Sequence, residues 1–368
     1  MNLPLPLVTV EGTPSDCGAA YGAAAAELIK ANIAAYMARF AAEAGLDTPR
    51  VRRAGAGFRE VTEERVPRIA AMLDGVAEGA GVPVEEIYAL NARTELLYGS
   101  QATECTSIGV LDGRTATGHT LLAQNWDWNP TQRDYTVLLA TRDERGFAVV
   151  TLAEAGMLAK TGLNGAGLGV CVNMLGCDRD GRPGGVPYHV LLRAALESAT
   201  LGGAIEAVCS LPRSASINVL LGQAFGDGVP GEIIDLEAVP GDVGFLNPVD
   251  GLITHANHFE SLIDVHDTLK DLGGSSFFRG PRARRLLAAG SSNGLIAEKD
   301  VALVLCDHGG HPRAICRHDA GTAVREADRS ETIFSVILDL DERRLAVAEG
   351  PPCCAEAYVD VRIDKLFR

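Results

Sequence analysis

The spacing of apolar residues changes once along the chain, near residue 105, and this change constrains the fold more than any other feature. In residues 1–104 apolar side chains recur at three- and four-residue intervals, which is typical of amphipathic helices. In residues 105–368 short β-branched runs bounded by turn residues predominate, which predicts strands. The chain is therefore expected to form a helical N-terminal segment and a strand-rich part that together make one structural domain.

The N-terminal segment is predicted to contain three helices. They are expected at residues 16–45, 58–78 and 83–98. Pro67 falls inside the second stretch. Because proline has no backbone N–H and clashes with the preceding turn, this residue must start a new helix or kink the predicted one.

Turn residues divide the second part into hairpins. Strands are predicted at residues 106–111, 120–126, 135–141, 147–153, 168–174, 216–221, 232–238, 252–254, 332–339 and 345–348, and helices at 187–199, 204–209, 281–289 and 297–306. The helices are grouped between hairpins and do not alternate with single strands. This pattern excludes a simple doubly wound parallel sheet and favours a layered α+β fold with antiparallel sheets.

Charge and composition restrict the possible partners. Lys+Arg 33 against Asp+Glu 48 gives a formal net charge of -15, which argues against nucleic acid and against anionic membranes. Residues 1–12 lack the charge and hydropathy pattern from which a signal peptide would be predicted, no run is apolar and long enough to predict a membrane span, and the spacing of the nine cysteines predicts no disulfide framework. We therefore expect a cytoplasmic protein. No cofactor is expected, since the glycine-rich run 161–167 is not followed by a predicted helix.

A cysteine at the change of period, Cys105, is a candidate nucleophile, and a nucleophilic thiol needs a base. Two sources of this base are open. One is a histidine, and seven are candidates: His119, His189, His255, His258, His308, His311 and His318. The other is the α-amino group that cleavage before Cys105 would free, whose pKa of about 7.7–8.0 lies near that of a thiol.

Several short strings together identify a family. They are residues 90–95 (Leu-Asn-Ala-Arg-Thr-Glu), 104–107 (Glu-Cys-Thr-Ser), 124–128 (Gln-Asn-Trp-Asp-Trp), 255–259 (His-Ala-Asn-His-Phe), 307–310 (Asp-His-Gly-Gly), 315–318 (Ile-Cys-Arg-His) and 336–340 (Val-Ile-Leu-Asp-Leu). In this order and spacing, over nearly the whole chain, they resemble the acyl-coenzyme A:6-aminopenicillanic-acid acyltransferase (isopenicillin-N acyltransferase-like) family of N-terminal-nucleophile cysteine hydrolases.

The resemblance implies a four-layer αββα fold and a precursor that cleaves itself between Glu104 and Cys105. It also implies that Cys105 is the nucleophile, that Asp127 lies beside its α-amino group, and that Asn257 donates to the oxyanion. The best-known member of the family has glycine before its cysteine, whereas this chain has Glu104.

The position of the family's catalytic arginine is matched best by Arg317, with Arg325 and Arg329 as neighbouring candidates. Trp126 and Trp128 are candidate substrate-binding residues. Because side chains two positions apart share one face of a strand, core packing is the competing interpretation of these tryptophans.

Another group of residues has metal-binding chemistry. It comprises Cys306, His308, His311, Cys316 and His318. Its spacing lacks the paired short gaps of common structural zinc sites, so no metal is predicted. Cys353 and Cys354, which are adjacent, are given no role.

The function expected from these residues is hydrolysis of a small N-acyl amide through a Cys105 thioester. Transfer of the acyl group from an acyl donor to an amine or to CoA shares this intermediate and is the alternative. Two further hypotheses are a histidine-dependent cysteine hydrolase and an unprocessed, non-enzymatic ligand-binding or assembly protein. After cleavage the fragments are expected to stay associated, because the apolar helix faces need the sheets as cover; a homo-oligomer is left open.

Overall fold

A computed structural model describes residues 3–97, 104–291 and 293–367. In these residues the helices are α1 (Pro14–Ala24), α2 (Ala26–Ala44), α3 (Thr48–Arg65), α4 (Pro67–Ala80), α5 (Val84–Asn91), α6 (Arg93–Leu96), α7 (Tyr188–Leu196), α8 (Leu201–Ser210), α9 (Ser276–Gly290) and α10 (Glu298–Leu305). Among them, no helix combines the length and hydrophobicity needed to cross a membrane.

The strands form two sheets. They are β1 (Leu7–Gly12), β2 (Cys105–Val110), β3 (Leu121–Trp128), β4 (Thr136–Asp143), β5 (Ala148–Glu154), β6 (Thr161–Asn164), β7 (Leu168–Met174), β8 (Ile217–Gln223), β9 (Glu232–Val239), β10 (Asp242–Leu246), β11 (Leu252–His255), β12 (Glu331–Asp339), β13 (Arg344–Glu349) and β14 (Val359–Arg362). One sheet has the order β1-β4-β5-β6-β7-β8-β9-β10 and the other β11-β2-β3-β12-β13-β14. Within the described residues, neighbouring strands are antiparallel except β1 and β4, which are parallel.

Three apolar layers hold the sheets and helices together. Strand β4 shows the first two, because Val137 and Leu139 pack with the N-terminal helices and Leu138 and Ala140 pack against the other sheet. The third layer lies between the six-stranded sheet and helices α9 and α10. The order of layers is helix, sheet, sheet, helix, so the predicted four-layer αββα fold is confirmed.

Helices α1 and α4 approach each other closely at glycines. A Cβ atom on Gly18 would lie 2.0 Å from the backbone oxygen of Met72, and one on Gly79 would lie 2.0 Å from that of Ala19. No larger residue fits at these positions without moving a helix backbone. The glycines therefore fix the spacing of two helices that cover the eight-stranded sheet.

The structure differs from the sequence-based prediction in several elements. The stretch predicted as one helix at 58–78 is two helices, because Pro67 begins α4 and α3 already begins at Thr48. Strands β1, β6, β10 and β14 were not predicted. The first two predicted hairpins are present but lie in different sheets, with β2–β3 in one and β4–β5 in the other. The predicted end of the third helix, residue 98, lies outside the described residues.

Candidate active site

Cys105 is the first residue of β2, a strand between β11 and β3, and its side chain is buried. Its peptide N–H donates to Oδ1 of Asn257 at 2.8 Å, and its carbonyl oxygen accepts a hydrogen bond from Nη1 of Arg279. The backbone of the predicted nucleophile is thus held on both sides by buried side chains. Such fixed geometry is what a reacting group requires.

The carbonyl that precedes Cys105 also has a hydrogen-bond donor. The backbone N–H of Asp127 donates to the Glu104 oxygen at 3.0 Å, because β2 and β3 pair with Cys105 opposite Trp126. In attack by the Cys105 thiol, negative charge would develop on this oxygen. A preorganised N–H donor stabilises such charge.

The Glu104 side chain is bound by three partners. Its Oε2 atom lies 2.9 Å from Nη2 of Arg279, contacts Nη2 of Arg317, and accepts a hydrogen bond from Oγ of Ser275 at 2.7 Å. Burial raises the pKa of Glu104, but the two guanidinium groups and Ser275 outweigh it and hold the pKa below its ordinary value. The residue before the candidate scissile bond is therefore anchored as a carboxylate.

Asp127 lies opposite Thr332 in the pairing of β3 with β12. Its carboxylate is fully buried, accepts a 2.7 Å hydrogen bond from Oγ1 of Thr332, and lies 3.5 Å from Nε of Arg317. Burial raises the pKa of Asp127 to about 7, while Arg317 and Arg279 act in the opposite direction. The sequence-predicted pair of Asp127 and Arg317 is thus brought together in the structure.

This raised pKa makes the stability of the unprocessed chain depend on pH. Between its ordinary pKa of 3.8 and about 7, Asp127 keeps a proton in the folded state that the unfolded chain releases, so its contribution to stability is lost as pH rises. In a Cys105→Ala background, which keeps the chain whole, we expect Asp127→Asn to be more favourable at pH 8 than at pH 5 by about 2–3 kcal/mol. Urea unfolding at both pH values measures this difference.

The control for this prediction is Asp227→Asn, which changes an exposed carboxylate in a loop. It should alter the free energy of unfolding by nearly the same small amount at both pH values. An Asp127→Asn effect that is equal at pH 5 and pH 8 would contradict a raised pKa.

Asn257 follows β11 and presents its amide oxygen to Cys105. This oxygen also accepts from Nη2 of Arg279 at 2.8 Å, while the Asn257 amide nitrogen donates to the Met174 carbonyl at 2.9 Å. In this arrangement Asn257 orients the nitrogen of Cys105. The predicted oxyanion role would require the amide nitrogen to leave Met174, and that role stays a prediction.

Arg279 was not predicted, although it has more contacts with the site than any predicted arginine. It is fully buried and donates to Thr106 Oγ1 at 2.7 Å and to Ser275 Oγ at 3.0 Å, in addition to its contacts with Glu104, Cys105 and Asn257. The sequence carries one signal for it. Arg279, Ala283 and Leu287 are spaced four residues apart and line the buried face of α9. The predicted helix began at residue 281 and so left this arginine outside.

Lys160 is a second residue that sequence reasoning missed. Its ammonium group is buried and lies 4.4 Å from the centroid of the Trp126 ring, a cation–π contact. Burial lowers the pKa of Lys160 to about 8. Burial also raises the pKa of the Cys105 thiol, and the charge of Lys160 opposes that rise. Lys160 therefore favours the thiolate, which is the nucleophilic form.

Trp126 and Trp128 lie on one face of β3, as their spacing predicted, and both are buried. Arg93 stacks over Trp128 with its guanidinium carbon 4.3 Å from the ring centroid. With Cys105, the two tryptophans line a narrow cavity of about 10 Å³, the lower limit for one water molecule. The tryptophans therefore belong both to the core between the sheets and to the wall of this cavity.

A larger cavity of about 490 Å³ lies next to the narrow one. Trp128 lines both cavities, and Glu104 and Arg317 line the larger one. The alternative arginines also lie there but are bound elsewhere, Arg325 to Asp328 and Arg329 to Asp319. In the part of the chain that the structure describes, Arg317 is the one of these three that contacts Asp127.

Histidines do not supply a base in this arrangement. Among the described residues, no histidine ring is hydrogen-bonded to Cys105. His255 is buried and pairs with Glu237 at 2.8 Å, and His258 binds Ser276 at 2.8 Å. The geometry therefore does not favour a histidine-dependent cysteine hydrolase.

The layers and the site define the class of protein. A buried cysteine that begins an interior strand of an αββα sandwich, with its backbone held by polar side chains, is the arrangement of an N-terminal-nucleophile enzyme that moves acyl groups. A family model described as acyl-coenzyme A:6-aminopenicillanic acid acyl-transferase matches residues 114–353. The chain belongs to this family, which confirms the resemblance found in the sequence, and it is an acyltransferase or hydrolase of the N-terminal-nucleophile type.

The chain is also similar to individual proteins of known name. The 40 kDa form of acyl-coenzyme A:6-aminopenicillanic-acid-acyltransferase from Emericella nidulans is 29% identical over 355 residues, which cover 94% of this chain and 92% of that protein. Two solved structures show weaker similarity. A mutant of conjugated bile acid hydrolase from Clostridium perfringens has 12% identity and a TM-score of 0.46, with 70% of this chain and 93% of that chain covered. Penicillin V acylase from Agrobacterium tumefaciens has 15% identity and a TM-score of 0.46, with 71% and 87% covered.

Proposed function

We propose that this protein is an N-terminal-cysteine amide hydrolase that cleaves itself between Glu104 and Cys105 and then hydrolyses a small N-acyl amide. The observation that carries the proposal is the fixed peptide bond before Cys105. Its carbonyl oxygen accepts from Asp127, and its nitrogen donates to Asn257. The same two contacts serve both reactions, because the acyl carbonyl of a substrate would take the place of the Glu104 carbonyl.

Self-cleavage begins with attack of the Cys105 sulfur on the Glu104 carbonyl carbon. The C–N bond breaks, the nitrogen receives the thiol proton, and a thioester joins Glu104 to Cys105. Water then hydrolyses the thioester, leaving a carboxylate on Glu104 and a free thiol and α-amino group on Cys105. Asn257 Oδ1 is placed to accept a hydrogen bond from the new amino group.

In turnover the α-amino group is the base that the histidines do not supply. With a pKa of about 7.7–8.0 it takes the thiol proton as Cys105 attacks the substrate carbonyl, and it returns the proton to the leaving amine. The carboxyl group of Asp127 and the guanidinium group of Arg317, which lie beside each other, set the electrostatic environment of this amine. Asn257 contributes by orienting the amine, and the oxyanion receives the Asp127 backbone N–H.

The cleaved segments have reason to stay associated. Buried hydrogen bonds join the two sides of the candidate scissile bond: Asn32 donates to the Ala155 carbonyl at 2.9 Å, and Tyr36 donates to Glu154 at 2.6 Å. Arg93 pairs with the same Glu154 at 2.8 Å, and strand β1 completes the eight-stranded sheet. Glu104 lines the larger cavity, so departure of this residue after cleavage would enlarge that cavity beside Trp128.

The binding of Glu104 suggests a class of acyl group. In self-cleavage the acyl side is the glutamyl residue, whose carboxylate is held by Arg279, Arg317 and Ser275. Once Glu104 moves away, the Nη2 groups of both arginines that now contact its carboxylate can bind another anion. We therefore favour acyl groups that end in a carboxylate, and glutaryl matches Glu104 without its nitrogen.

Acyl release from processed protein tests the proposal. Glutaryl and pentanoyl amides of one chromogenic amine have acyl chains of equal length and differ in the terminal carboxylate. We expect faster release from the glutaryl amide, by about tenfold or more in kcat/KM, since charge-assisted hydrogen bonds contribute about 1.5–3 kcal/mol. Equal rates would contradict the role given to the arginines and leave amide hydrolysis standing.

The same assay separates hydrolysis from transfer. Hydrolysis is preferred because water needs no dedicated pocket, whereas an amine acceptor does. Product that forms only with an added amine or CoA would reverse this preference. A chain that stays whole and releases no acyl group would instead favour a non-enzymatic ligand-binding or assembly role.

A further inference from the structure

Four metal-ligating side chains from distant parts of the sequence meet beside the active site. They are His308, which follows α10, Cys316 and His318 in the next loop, and Cys353, which follows β13. One ligand atom of each lies within 4.8 Å of those of the others. None of these residues has a role in the proposed function. Three of them precede β12 in the sequence and Cys353 follows β13, so only the fold brings them together.

The distances within the group have the size of the edges of a tetrahedron around zinc. The two imidazole Nε2 atoms are 3.0 Å apart, the two sulfurs 3.5 Å, and three nitrogen–sulfur distances are 3.3, 3.3 and 3.6 Å. With Zn–S of about 2.3 Å and Zn–N of about 2.0–2.1 Å, ideal edges are about 3.4 Å for nitrogen pairs, 3.6 Å for mixed pairs and 3.8 Å for sulfur pairs. Five of the six edges therefore differ from the ideal values by no more than a few tenths of an ångström, and the sixth, between His308 and Cys316, is within 4.8 Å.

We propose that His308, Cys316, His318 and Cys353 form a structural Zn²⁺ site of the Cys2His2 type. Thiolate and imidazole are the ligands that zinc prefers, and magnesium or calcium would require oxygen ligands instead. Four protein ligands fill a tetrahedral shell and leave no open position for a substrate or water. The ion would therefore join segments of the fold and take no part in acyl transfer.

The sequence-derived group argued against zinc because it lacks paired short gaps, and the fourth ligand was not recognised because it lies far downstream. Cys353 is 37 residues after Cys316, and it replaces Cys306 and His311, which belong to the sequence-derived group but not to the spatial one. A disulfide between Cys316 and Cys353 is the competing use of these sulfurs. A disulfide would need the two sulfurs about 2.05 Å apart, whereas they lie 3.5 Å apart. A disulfide also gives no reason for the two histidine nitrogens to lie beside the sulfurs.

The proposed ion would fix a loop that lines the larger cavity. Arg317 lies between two of the ligands, and its backbone is already paired with Thr332 through an N–H···Oγ1 hydrogen bond of 3.0 Å and an N–H···O=C bond of 3.1 Å. Pro312, Arg313 and His318 also line the cavity. Zinc would tie this loop to the turn at residues 352–354 and keep the wall of the cavity in place.

Metal analysis of the full-length protein, purified without chelators, tests the site. We expect about one zinc ion per chain and, after exchange, the visible spectrum of tetrahedral cobalt with thiolate-to-metal charge transfer. Because Sγ of Cys354 lies 3.6 Å from that of Cys353 and can replace it, the informative variant is the double Cys353→Ser/Cys354→Ser. It should lose the metal, whereas Cys354→Ser alone and Cys209→Ser, at a distant exposed cysteine, should keep it.

A histidine pair gives an independent comparison. His318→Ala removes a ligand, while His311→Ala removes a ring whose centroid lies 5.5 Å from that of His318 but which is outside the group. We expect His318→Ala to lower zinc affinity at least tenfold and His311→Ala to change it little. A strong chelator should lower the Tm of the wild type and leave that of the double variant unchanged.

Two results would overturn the site. One is wild-type protein that holds no stoichiometric metal after incubation with zinc. The other is an intact mass about 2 Da lower than the sequence requires, with Cys316 and Cys353 linked, in protein kept under reducing conditions. Both measurements use the wild type, so they decide the question even if the variants fail to fold.

Discussion

Replacing Cys105 with alanine is expected to abolish both cleavage of the chain and turnover of acyl substrates. Removing a nucleophile that acts as a unit with its base lowers kcat by about 10⁶-fold in comparable hydrolases. Cys105→Ser keeps a weaker nucleophile in the same place, so slow cleavage before residue 105 is expected. Intact mass spectrometry measures the fraction of chain split at this bond, and an acyl-release assay measures turnover.

The matched control is Cys171→Ala, which removes a buried cysteine from β7 in the layer between the sheets. It should leave cleavage and turnover near the wild-type values, with a small loss of stability from the missing sulfur. Persistent cleavage of the Cys105→Ala chain would exclude the proposed self-processing. A folded Cys105→Ala protein that still turns over substrate would exclude Cys105 as the nucleophile.

Replacing Arg279 with leucine is expected to have the largest effect on stability among the arginine substitutions at this site. The change leaves the buried Glu104 carboxylate with fewer cationic partners and removes donors from Cys105 and Asn257. Breaking a buried ion pair by removing one partner lowers stability by about 3–5 kcal/mol. Urea unfolding in the Cys105→Ala background, where the chain stays whole, measures the loss.

Arg282→Leu provides the control on the same helix. Arg282 pairs with Asp307 at 2.6 Å, but its side chain is 34% exposed, so its removal should lower stability by only about 0–1 kcal/mol. A double-mutant cycle with Glu104→Gln adds a second measurement. If Arg279 acts through the Glu104 carboxylate, the two effects will be less than additive. Full additivity would show that the arginine stabilises the site through its other contacts.

Local sequence patterns were enough to predict the chemistry-bearing strands and the strands beside them, but not β1, β6, β10 and β14. The strands that carry Cys105 and Asp127 were found because period-two patterns and turn residues lie within a few positions of each other. β1 was missed because it is a short strand paired in parallel with β4, a partner more than a hundred residues away. The glycine-rich run 161–167 was considered only as a dinucleotide-binding loop, yet its first four residues form β6 between β5 and β7.

The residues of the candidate site also fall into two groups, those found from sequence motifs and those found only in the structure. Cys105, Asp127, Asn257 and Arg317 were named from short motifs, because each motif is contiguous and resembles a known family. Arg279 and Lys160 belong to no such motif. Their roles follow from burial next to Cys105, and the Arg279 contact spans 174 residues of sequence. The amide of Asn257 shows a further limit, since only the structure reveals that its oxygen, and not its nitrogen, faces Cys105.

The sequence by itself determined the family, the α+β layering and the cysteine on which the proposed chemistry depends. These properties follow from side-chain period and from contiguous motifs, which are local. The tertiary structure alone decided which arginines hold Glu104, how buried Asp127 is, and that Cys353 joins His308, Cys316 and His318. Burial, charge pairing and the convergence of ligands depend on distances between residues far apart in sequence, and folding alone sets those distances.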